Sequence, residues 1–453
     1  MKKIVSLVLA ALMLLGCSSA LAESPEGYPE VVEGIDFGGA SVWIADYWTG
    51  SRDRKADPTE EEALQYEYRD WINKTYNVDV YQMQDGDWGS NATQMSNFVT
   101  APDGTYRIYI IEPGSVMNLV NTNLVAPMSD KYTDLSKEKW NAAEKQFMTI
   151  GGKVYGLYPG ATEPRGLLYF NKRVLQEAQI DYETEIYDAQ KNGTWTWAKF
   201  EEMLKKLTRD TDNDGVNDIY GILGSRDDMC MLAVFGNGGT FFDFDADGKL
   251  QPTMNSDATI SALNWVKDTW AAYGMPTPEG ANWDWYKDAW KQGKVGFYMY
   301  QAYGGFNDNS EMADMEDEWG AVAFPLPTEG TGFLTVASDN IALIPACYDE
   351  ETVAKLTLIY DLWTNETPGV DTEDGWIGNK YNYTDERAVD ETYAMLREPE
   401  HSAINYTLYL GTNNDVLGNP LLWQLDNGSV AELIDANMEA WKALCDKFNA
   451  IER

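Results

Sequence analysis

The chain has 453 residues, of which 44% are hydrophobic and 24% are charged, a composition that allows a folded protein of about two or three domains. Asp and Glu number 73 and Lys and Arg 34, which gives a formal net charge of -39. This balance argues against nucleic acid and anionic membrane surfaces as partners, because both are bound through clustered Lys and Arg. The chain has one histidine, His401, which excludes an HExxH zinc site.

Residues 1–22 predict an export signal. A basic start precedes an apolar run over residues 4–16, which is too short to span a bilayer. Cys17 follows directly, in a stretch that looks like a bacterial lipobox, and predicts a lipoprotein whose diacylated cysteine becomes the new N-terminus. The alternative is ordinary cleavage after Ala22, at an A-x-A-like site. Residues 23–35 are acidic and contain Pro and Gly, as expected for a tether.

Strands alternate with helices along the chain. The first half predicts a strand over 41–45, a helix opened by the capping-box pair Thr59 and Glu62, and strands over 78–83 and 106–111. In the second half, apolar residues at helical spacing predict further helices around residues 197–207, 260–270 and 353–363. A second capping box, Ser429 with Glu432, opens a long final helix. The alternation predicts an α/β fold in which helices cover both faces of a parallel sheet.

Motifs for nucleotide binding and nucleophilic catalysis are absent from the sequence. Each of the three Gly-Lys pairs lacks a following Ser or Thr, so there is no P-loop, and no G-x-S-x-G elbow occurs. The 73 acidic residues still allow a paired-carboxylate glycoside hydrolase, since a sequence does not give the separation of two carboxylates. The absence of these motifs therefore points away from an enzyme, and the glycoside hydrolase stays an open alternative.

One Asp-rich loop has the spacing of an EF-hand-type calcium site. Its predicted ligands stand at positions 1, 3, 5, 7 and 9 of the loop, with a turn glycine at position 6; they are Asp210, Asp212, Asp214, the Val216 carbonyl and Asp218. Position 12, normally a bidentate Glu, is Gly221, so a further carboxylate would have to come from elsewhere. The alternative is a solvated Asp-Gly turn. A second loop, over 243–248, predicts a hairpin turn.

Five stretches, taken in order, resemble the extracellular solute-binding proteins of ABC importers, family 1, the sugar-binding group that includes maltodextrin-binding proteins. The first is GGKVYGLY followed by RGLLYFNK, and the others are TWAKF with the Asp-rich loop, FGNGGTFF, QGKVGFYMY, and WGAVAFPLP followed by ASDNIALIP; they cover residues 151–172, 196–221, 235–242, 292–300 and 319–345. The likeness extends from about residue 36 to the C-terminus.

The resemblance implies a two-lobed periplasmic-binding-protein fold of type II. Each lobe would be a mostly parallel sheet flanked by helices, and each would be discontinuous in sequence. The implied N-terminal lobe comprises residues 36–160 and 328–364, and the C-terminal lobe comprises residues 161–327 and 365–453. The ligand would bind between the lobes, in agreement with the general rule that open α/β sheets bind ligands beyond the carboxyl ends of their strands.

The resemblance also implies a carbohydrate ligand, with an oligosaccharide favoured, and 17 Trp, 27 Tyr and 14 Phe supply the ring faces that sugars need. Carboxylates would accept hydroxyl hydrogen bonds, an arginine would donate them, and rings would stack. The predicted ligand contacts are Asp46, Trp48, Glu112, Arg165, Tyr303, Asp339, Asn340 and Trp376. Trp283 and Trp285 are weaker candidates for the rim.

The expected function is that of a monomeric, non-enzymatic receptor that delivers its ligand to an ABC permease. It would be tethered by lipid to the outer face of the bacterial cytoplasmic membrane. It would require no cofactor, and a structural Ca²⁺ in the Asp-rich loop stays open beside the solvated turn. Two alternatives stay open. The same fold could bind a peptide or a cationic solute, which the negative charge allows, or the chain could be a surface glycoside hydrolase or lyase.

Overall fold

The computed structural model describes residues 24–305, 312, 314–370 and 385–451. Its strands are β1 Ala40–Asp46, β2 Val78–Gln84, β3 Tyr106–Ile111, β4 Val125–Ala126, β5 Thr149–Ile150, β6 Lys153–Val154, β7 Gly156–Leu157, β8 Leu167–Asn171, β9 Tyr220–Gly224, β10 Phe242–Phe244, β11 Leu250–Pro252, β12 Val295–Tyr300, β13 Trp319–Val322, β14 Thr335–Ala337, β15 Ile341–Pro345 and β16 Ser402–Ile404. Its helices are α1 Glu60–Tyr76, α2 Asn91–Thr100, α3 Pro113–Asn121, α4 Ala142–Phe147, α5 Lys172–Glu177, α6 Asp188–Lys191, α7 Trp197–Leu207, α8 Arg226–Gly236, α9 Asp257–Tyr273, α10 Trp285–Lys291, α11 Glu350–Trp363, α12 Ala394–Leu396 and α13 Val430–Asn449. Cys17 and Trp376, for which we predict lipidation and ligand contact, lie outside the described residues.

Two sheets organise the molecule. The first sheet has the strand order β2-β1-β3-β15-β4, with β7 also paired to β15. The second sheet has the order β13-β8-β12-β9. Strands and helices alternate through most of the chain, so the predicted α/β class is confirmed.

The prediction of mostly parallel sheets is wrong. In the first sheet β1 runs parallel to β2 and β3, but β15 is antiparallel to all three of its partners. In the second sheet only β9 and β12 are parallel, and β8 is antiparallel to β12 and β13. The reason is connectivity. The chain reaches β8 from the first sheet and β15 from the second sheet. Neither strand therefore follows a crossover helix from a strand of its own sheet, which is the connection that makes two strands parallel.

The strongest local signals in the sequence, two capping boxes and one hairpin turn, are confirmed by the structure. Both capping boxes form: the Thr59 hydroxyl accepts the Glu62 N–H at 3.2 Å while the Glu62 carboxylate accepts the Thr59 N–H at 2.9 Å, and Ser429 and Glu432 repeat the arrangement. These exchanges satisfy N–H groups that a helix start leaves unpaired. The hairpin predicted at 243–248 is the β10–β11 pair.

The core covers both faces of the first sheet. On one face Val42 and Ile44 of β1 pack in a cluster with buried residues of α1 and α11. On the other face Ala45 packs in a cluster with buried residues of α2 and α3. This alternation follows from the two-residue period of a strand. The second cluster continues into the second sheet, partly through the stacked rings of Phe147 and Tyr409, whose centroids are 4.8 Å apart.

The chain passes between the two sheets more than once. It leaves the first sheet after β7, enters the second with β8, and returns from β13 through β14 to β15. The return segment is steadied by β14, which pairs in parallel with β16 near the C-terminal part of the chain. Of the described helices, none has the length and apolar character that a membrane-spanning helix requires.

Candidate functional site

Seven of the eight predicted contact residues lie at two sheet edges. The first edge is formed by the residues that end or follow β1, β2 and β3 and those that precede β15; of the predicted residues it carries Asp46, Trp48, Glu112, Asp339 and Asn340. The second edge is formed by the residues that precede β8 and follow β9 and β12; it carries Arg165 and Tyr303. Because β8 and β15 run antiparallel to their neighbours, residues preceding them lie beside residues that follow those neighbours.

The two edges contact each other. Within the first edge, the Tyr47 hydroxyl, next to the predicted Trp48, donates to Asn340 Oδ1 at 2.8 Å. Arg165 Nη2 of the second edge lies 3.8 Å from Asp339 Oδ1 of the first. Predicted residues that are more than 100 positions apart in the chain are therefore brought to one place, as a site between two units requires.

Arg165 stands at the centre of this contact. Its Nη1 donates to Gln301 Oε1 at 2.9 Å, its Nη2 lies 3.7 Å from Glu163 Oε2, and its Cζ lies 5.9 Å from the centre of the Tyr303 ring. Burial acts to lower the pKa of Arg165, but the neighbouring carboxylates of Glu163 and Asp339 outweigh it, so the pKa is raised and the guanidinium stays charged.

The chain can turn from Arg165 into β8 because a glycine follows. Gly166 has φ +86°, in the left-handed region that side chains other than glycine avoid. A Cβ at this position would come within 2.6 Å of Leu232 Cδ1 and 2.8 Å of Met299 Cε. Close packing of α8 and β12 against Gly166 thus fixes where the Arg165 side chain begins.

A buried acid pair supports Arg165 from the first edge. Glu144 on α4 is 2% exposed, Asp339 is 1% exposed, and the Asp339 N–H donates to Glu144 Oε1 at 2.8 Å. Burial raises the pKa of Glu144 to about 7, and burial, with the neighbouring acids, raises that of Asp339 well above its usual range. Asp339 Oδ2, Glu163 Oε1 and Arg165 Nε are buried without a hydrogen-bond partner among the described residues. Ligand hydroxyls or water could satisfy such atoms.

Asp46 shapes the site rather than facing a ligand. Its side chain is fully buried, and its carboxylate accepts the backbone N–H groups of Trp48 and Thr49, the Thr49 hydroxyl and the Gln82 amide. These hydrogen bonds hold the turn after β1. The turn leaves the Trp48 ring 50% exposed and places it edge-to-face against Tyr47, with centroids 4.8 Å apart. The expectation that Asp46 accepts ligand hydroxyls is corrected, because its oxygens serve this turn.

Glu112 has a capping role that the sequence did not indicate, and its predicted contact with a ligand stays a prediction. Its Oε2 accepts the Gly114 N–H at 2.7 Å and its Oε1 accepts the Ser115 hydroxyl, so Glu112 caps the start of α3. A carboxylate at a helix N-terminus is favourable because the unpaired N–H groups there are positively polarised. Glu112 is only partly buried, and each of its oxygens can accept a further hydrogen bond.

The second edge contains further candidate residues that the sequence did not indicate. Asp227 and Asp228 lie in the first turn of α8, directly beyond β9, and the Trp423 indole donates to Asp227 Oδ2 at 2.6 Å. Trp283, a predicted rim residue, packs edge-to-face on Trp423 at 5.8 Å. Burial raises the pKa of Asp228 to about 6. Asp227 and Asp228 follow a strand, so the rule that ligands bind beyond strand ends could have found them. Trp423 is almost 200 residues away in the chain, and the sequence gives no signal that it approaches them.

The calcium loop stays a prediction. Carboxylate oxygens of Asp210, Asp212 and Asp218 lie within 4.8 Å of one another, which fits the oxygen ligands that Ca²⁺ prefers. Asp214 does not belong to this group; its Oδ1 accepts the Val216 N–H at 2.8 Å. Asp210 and Asp218 also accept hydrogen bonds within the loop, so the arrangement is equally that of a self-stabilised turn.

A wide surface groove elsewhere does not involve the predicted residues. Its volume is about 1330 Å³, and it lies between residues 126–154 and 348–353, away from both edges. None of the predicted ligand contacts lines it. The chemistry of the site, rather than the volume of this groove, therefore identifies the two edges as the candidate.

Comparisons with known proteins agree with the fold. The structure is similar to the cyclic α-maltosyl-1,6-maltose binding protein of Arthrobacter globiformis, with a TM-score of 0.62, 16% identity, and 90% of this chain and 98% of that chain covered. It is similar to a solute-binding protein of an ABC transporter from Thermotoga lettingae TMO bound to α-D-tagatose, with a TM-score of 0.61, 14% identity, and coverage of 90% and 99%. It is also similar to UgpB of Mycobacterium tuberculosis in complex with glycerophosphocholine, with a TM-score of 0.62, 16% identity, and coverage of 89% and 99%.

At these identities the structural likeness shows the fold alone. Comparison with curated protein sequences gives no match. The sequence itself supplies the family, because residues 55–357 match the model of one family over more than half of the chain. The chain belongs to the bacterial extracellular solute-binding proteins.

Proposed function

We propose that this protein is the substrate-binding component of an ABC importer and captures a carbohydrate between two lobes. The lobes would be those predicted from the sequence, 36–160 with 328–364 and 161–327 with 365–453, and each would contribute one sheet edge. The similar structures named above include proteins whose ligands are an oligosaccharide and a monosaccharide. Membership of a solute-binding family supports capture without chemical change.

One observation carries the carbohydrate assignment: exposed aromatic rings border a buried polar cluster at the two edges. Among the described residues, the large apolar side chains that are exposed are Trp48, Trp88, Val216, Trp283 and Tyr303. Trp48, Trp88 and Tyr303 follow strands at the two edges, and Trp283 packs on Trp423, whose indole donates to Asp227 of the second edge. Sugars present C–H faces to such rings and hydroxyls to carboxylates and guanidinium groups, and the cluster around Arg165 supplies the latter.

The same cluster supports an uncharged ligand over a cationic one. Acids outnumber bases around Arg165, and this excess is the observation that favours a cationic solute as second candidate. However, burial raises the pKa of Glu144 to about 7, and that of Asp339 is raised as well, so protonation reduces the negative charge that faces the site near neutral pH. A neutral, hydroxyl-rich molecule can use protonated and ionised carboxyls alike, whereas an ammonium group needs them ionised.

Binding measurements on purified protein test the proposal. Tryptophan fluorescence and calorimetry against a glycan panel should give a micromolar Kd, about -8 kcal/mol, for at least one glycan. Trp48→Ala should weaken that affinity about tenfold, because stacking contributes about 1 kcal/mol beyond buried area. Val216→Ala, an exposed apolar residue away from the edges, should change nothing. Binding of polyamines or peptides with no glycan binding would contradict the carbohydrate assignment.

We further infer that the mature protein is lipid-anchored through Cys17 on the outer face of the cytoplasmic membrane and acts without an enzymatic step. Mass spectrometry of the membrane fraction should find a diacylated N-terminal cysteine, and Cys17→Ala should release the protein. Incubation with the bound glycan should return it unchanged. A protein that begins at residue 23, or a hydrolysed glycan, would contradict these two parts of the proposal separately.

A further inference from the structure

Two polar side chains hold Arg165 from opposite ends of the residue. Thr335 binds its backbone, and Gln301 binds its guanidinium. Thr335 begins β14, on the segment that returns from the second sheet to the first, and Gln301 directly follows β12. They are 170 and 136 positions away from Arg165 in the chain, so no local pattern in the sequence indicates either contact.

The Thr335 hydroxyl serves both backbone polar groups of Arg165. Its Oγ1 accepts the Arg165 N–H at 2.7 Å and donates to the Arg165 carbonyl oxygen at 3.3 Å. Thr335 is 1% exposed, so water has little access to replace the hydroxyl, and buried backbone groups left unpaired are costly. The Glu163 N–H likewise donates to Asp339 Oδ1, at 3.3 Å. The segment that carries Arg165 is therefore fastened to the return segment.

Gln301 directs the other end of Arg165. Among the described residues, the hydrogen bond that the guanidinium donates goes from Nη1 to Gln301 Oε1, at 2.9 Å. The distances from Nη2 to the Glu163 and Asp339 carboxylates, 3.7 and 3.8 Å, are longer than those of a hydrogen bond. Because a guanidinium has donors and no acceptor, an acceptor such as Gln301 Oε1 is what can fix its direction.

The backbone of Gln301 is itself attached to the neighbourhood of Arg165. The hydroxyl of the buried Tyr169, in β8, donates to the Gln301 carbonyl oxygen at 3.0 Å. The Ala302 N–H donates to the Pro164 carbonyl oxygen at 3.2 Å. The end of β12 and the start of β8 thus form one support, on which both Arg165 and Gln301 stand.

The amide of Gln301 has a carboxylate as its second neighbour. Burial is the main cause that raises the pKa of Asp228 to about 6, and hydrogen bonds with the Ser225 and Gln301 side chains act to lower it. An amide between a guanidinium and a carboxylate satisfies both only when its oxygen faces the guanidinium and its nitrogen faces the carboxylate. Asp228 therefore favours the orientation in which Gln301 Oε1 accepts from Arg165.

We propose that Thr335 and Gln301 are positioning residues, which fix the backbone and the guanidinium of Arg165 before a glycan binds and act on affinity through Arg165. This inference rests on the proposed carbohydrate function and deepens it. Nη2 of the fixed guanidinium faces Asp339 of the first edge, and Nε is buried without a partner among the described residues. Donors that already stand in their binding geometry lose less conformational entropy when a glycan hydroxyl reaches them.

The experiment is a pair of double-mutant cycles on affinity. Tryptophan fluorescence titrations use α-1,4-linked and β-1,4-linked gluco-oligosaccharides of one to six rings as probes. Thr335→Val and Gln301→Leu are each measured alone and together with Arg165→Met. We expect each single variant to weaken the binding of a probe about threefold to tenfold, the range of one hydrogen bond. In the Arg165→Met background each should add less than about twofold, and Thr335→Ser, which keeps the hydroxyl, should bind as the parent does.

Thr357→Val is the matched control for Thr335→Val. Thr357, in α11, is also fully buried, and its hydroxyl also accepts one backbone N–H, from Ser129 at 3.3 Å, and donates to one carbonyl oxygen, of Val353 at 2.8 Å. Both variants should unfold at a lower urea concentration than the parent. Only Thr335→Val should also lose affinity, because Thr357 does not contact Arg165. A merely structural role of Thr335 would leave both affinities at the parent value.

The outcomes separate this inference from the function on which it rests. If the parent binds a probe and Arg165→Met, Thr335→Val or Gln301→Leu keeps the parent affinity, the positioning role is refuted while the carbohydrate function stands. The same holds if Thr335→Val or Gln301→Leu weakens binding by equal factors with and without Arg165. If the parent binds no glycan of either series or of a wider panel, the function itself is refuted and the positioning role with it.

Discussion

The buried Glu144 makes a quantitative prediction about stability and pH. The side chain is 2% exposed, and burial raises its pKa from 4.5 to about 7. The folded protein therefore binds this proton more tightly than the unfolded chain does. Protonated Glu144 contributes stability that is fully present below pH 4.5 and is lost as the pH rises through about 7. At 1.36 kcal/mol per pKa unit, the contribution is about 3 kcal/mol.

Glu144→Gln isolates this contribution. The glutamine side-chain oxygen can still accept the Asp339 N–H, as Glu144 Oε1 does at 2.8 Å, but it carries no charge at any pH. We expect the variant and the parent to have similar free energies of unfolding at pH 5. At pH 8, where the parent has an ionised carboxyl buried beside Asp339, the variant should be more stable by up to about 3 kcal/mol.

Urea unfolding followed by tryptophan fluorescence at pH 5 and pH 8 measures the difference. Glu138→Gln is the matched control, since Glu138 is an exposed acid shortly before the same helix, and its effect should be small at both pH values. The reasoning would be refuted if the difference between Glu144→Gln and the parent were the same at both pH values, or if the variant were the less stable protein at pH 8.

Three further predictions concern other parts of the chain. Asp361, 2% exposed, lies 2.6 Å from Lys137 Nζ and 2.8 Å from Lys139 Nζ, so Asp361→Asn should lower the free energy of unfolding by about 3 kcal/mol, and an unchanged urea midpoint would contradict this. If the Asp-rich loop holds calcium, millimolar Ca²⁺ should raise the Tm of the parent more than Mg²⁺ does and should leave that of Asp210→Asn unchanged; equal responses to the two ions would leave the solvated turn as the explanation. Trp283→Ala should weaken binding of the identified glycan, and no change would place Trp283 outside the site.

The sequence predicted the parts of the fold that depend on neighbours in the chain. The Thr59–Glu62 capping box, the strand over 106–111 and the hairpin at 243–248 all form, because each is decided within a few residues. The direction of β8 and β15 was not predicted. It depends on where the chain comes from when it enters a sheet, which a periodic pattern does not record.

For the candidate site, too, the sequence predicted what local rules and the family resemblance indicate, and it did not predict contacts that depend on the folded conformation. The rule that ligands bind beyond strand ends selected Trp48 and Glu112, and the family resemblance selected Arg165 and Asp339. That these residues contact a ligand stays a prediction. The role of Asp46 was not visible, because the partners of its carboxylate are set by the conformation of the turn that follows β1. The approach of Trp423 to Asp227 was not visible either, since packing of distant segments, not local sequence, creates it.

The cluster around Arg165 can be judged on energy alone. Two carboxyls are buried there, those of Glu144 and Asp339, and the side chains of Glu163 and Arg165 are largely removed from water. Three polar atoms of this cluster have no partner among the described residues. Such burial is unfavourable, and apolar residues of similar volume would make a more stable core. The exposed rings of Trp48 and Tyr303 beside the cluster are unfavourable for the opposite reason, because they leave apolar surface in water. Sequences are locally consistent with their folds except where function requires otherwise. A ligand with both hydroxyls and C–H faces would remove both disadvantages in one binding event, and this complementarity supports a sugar at these edges without reference to any relative.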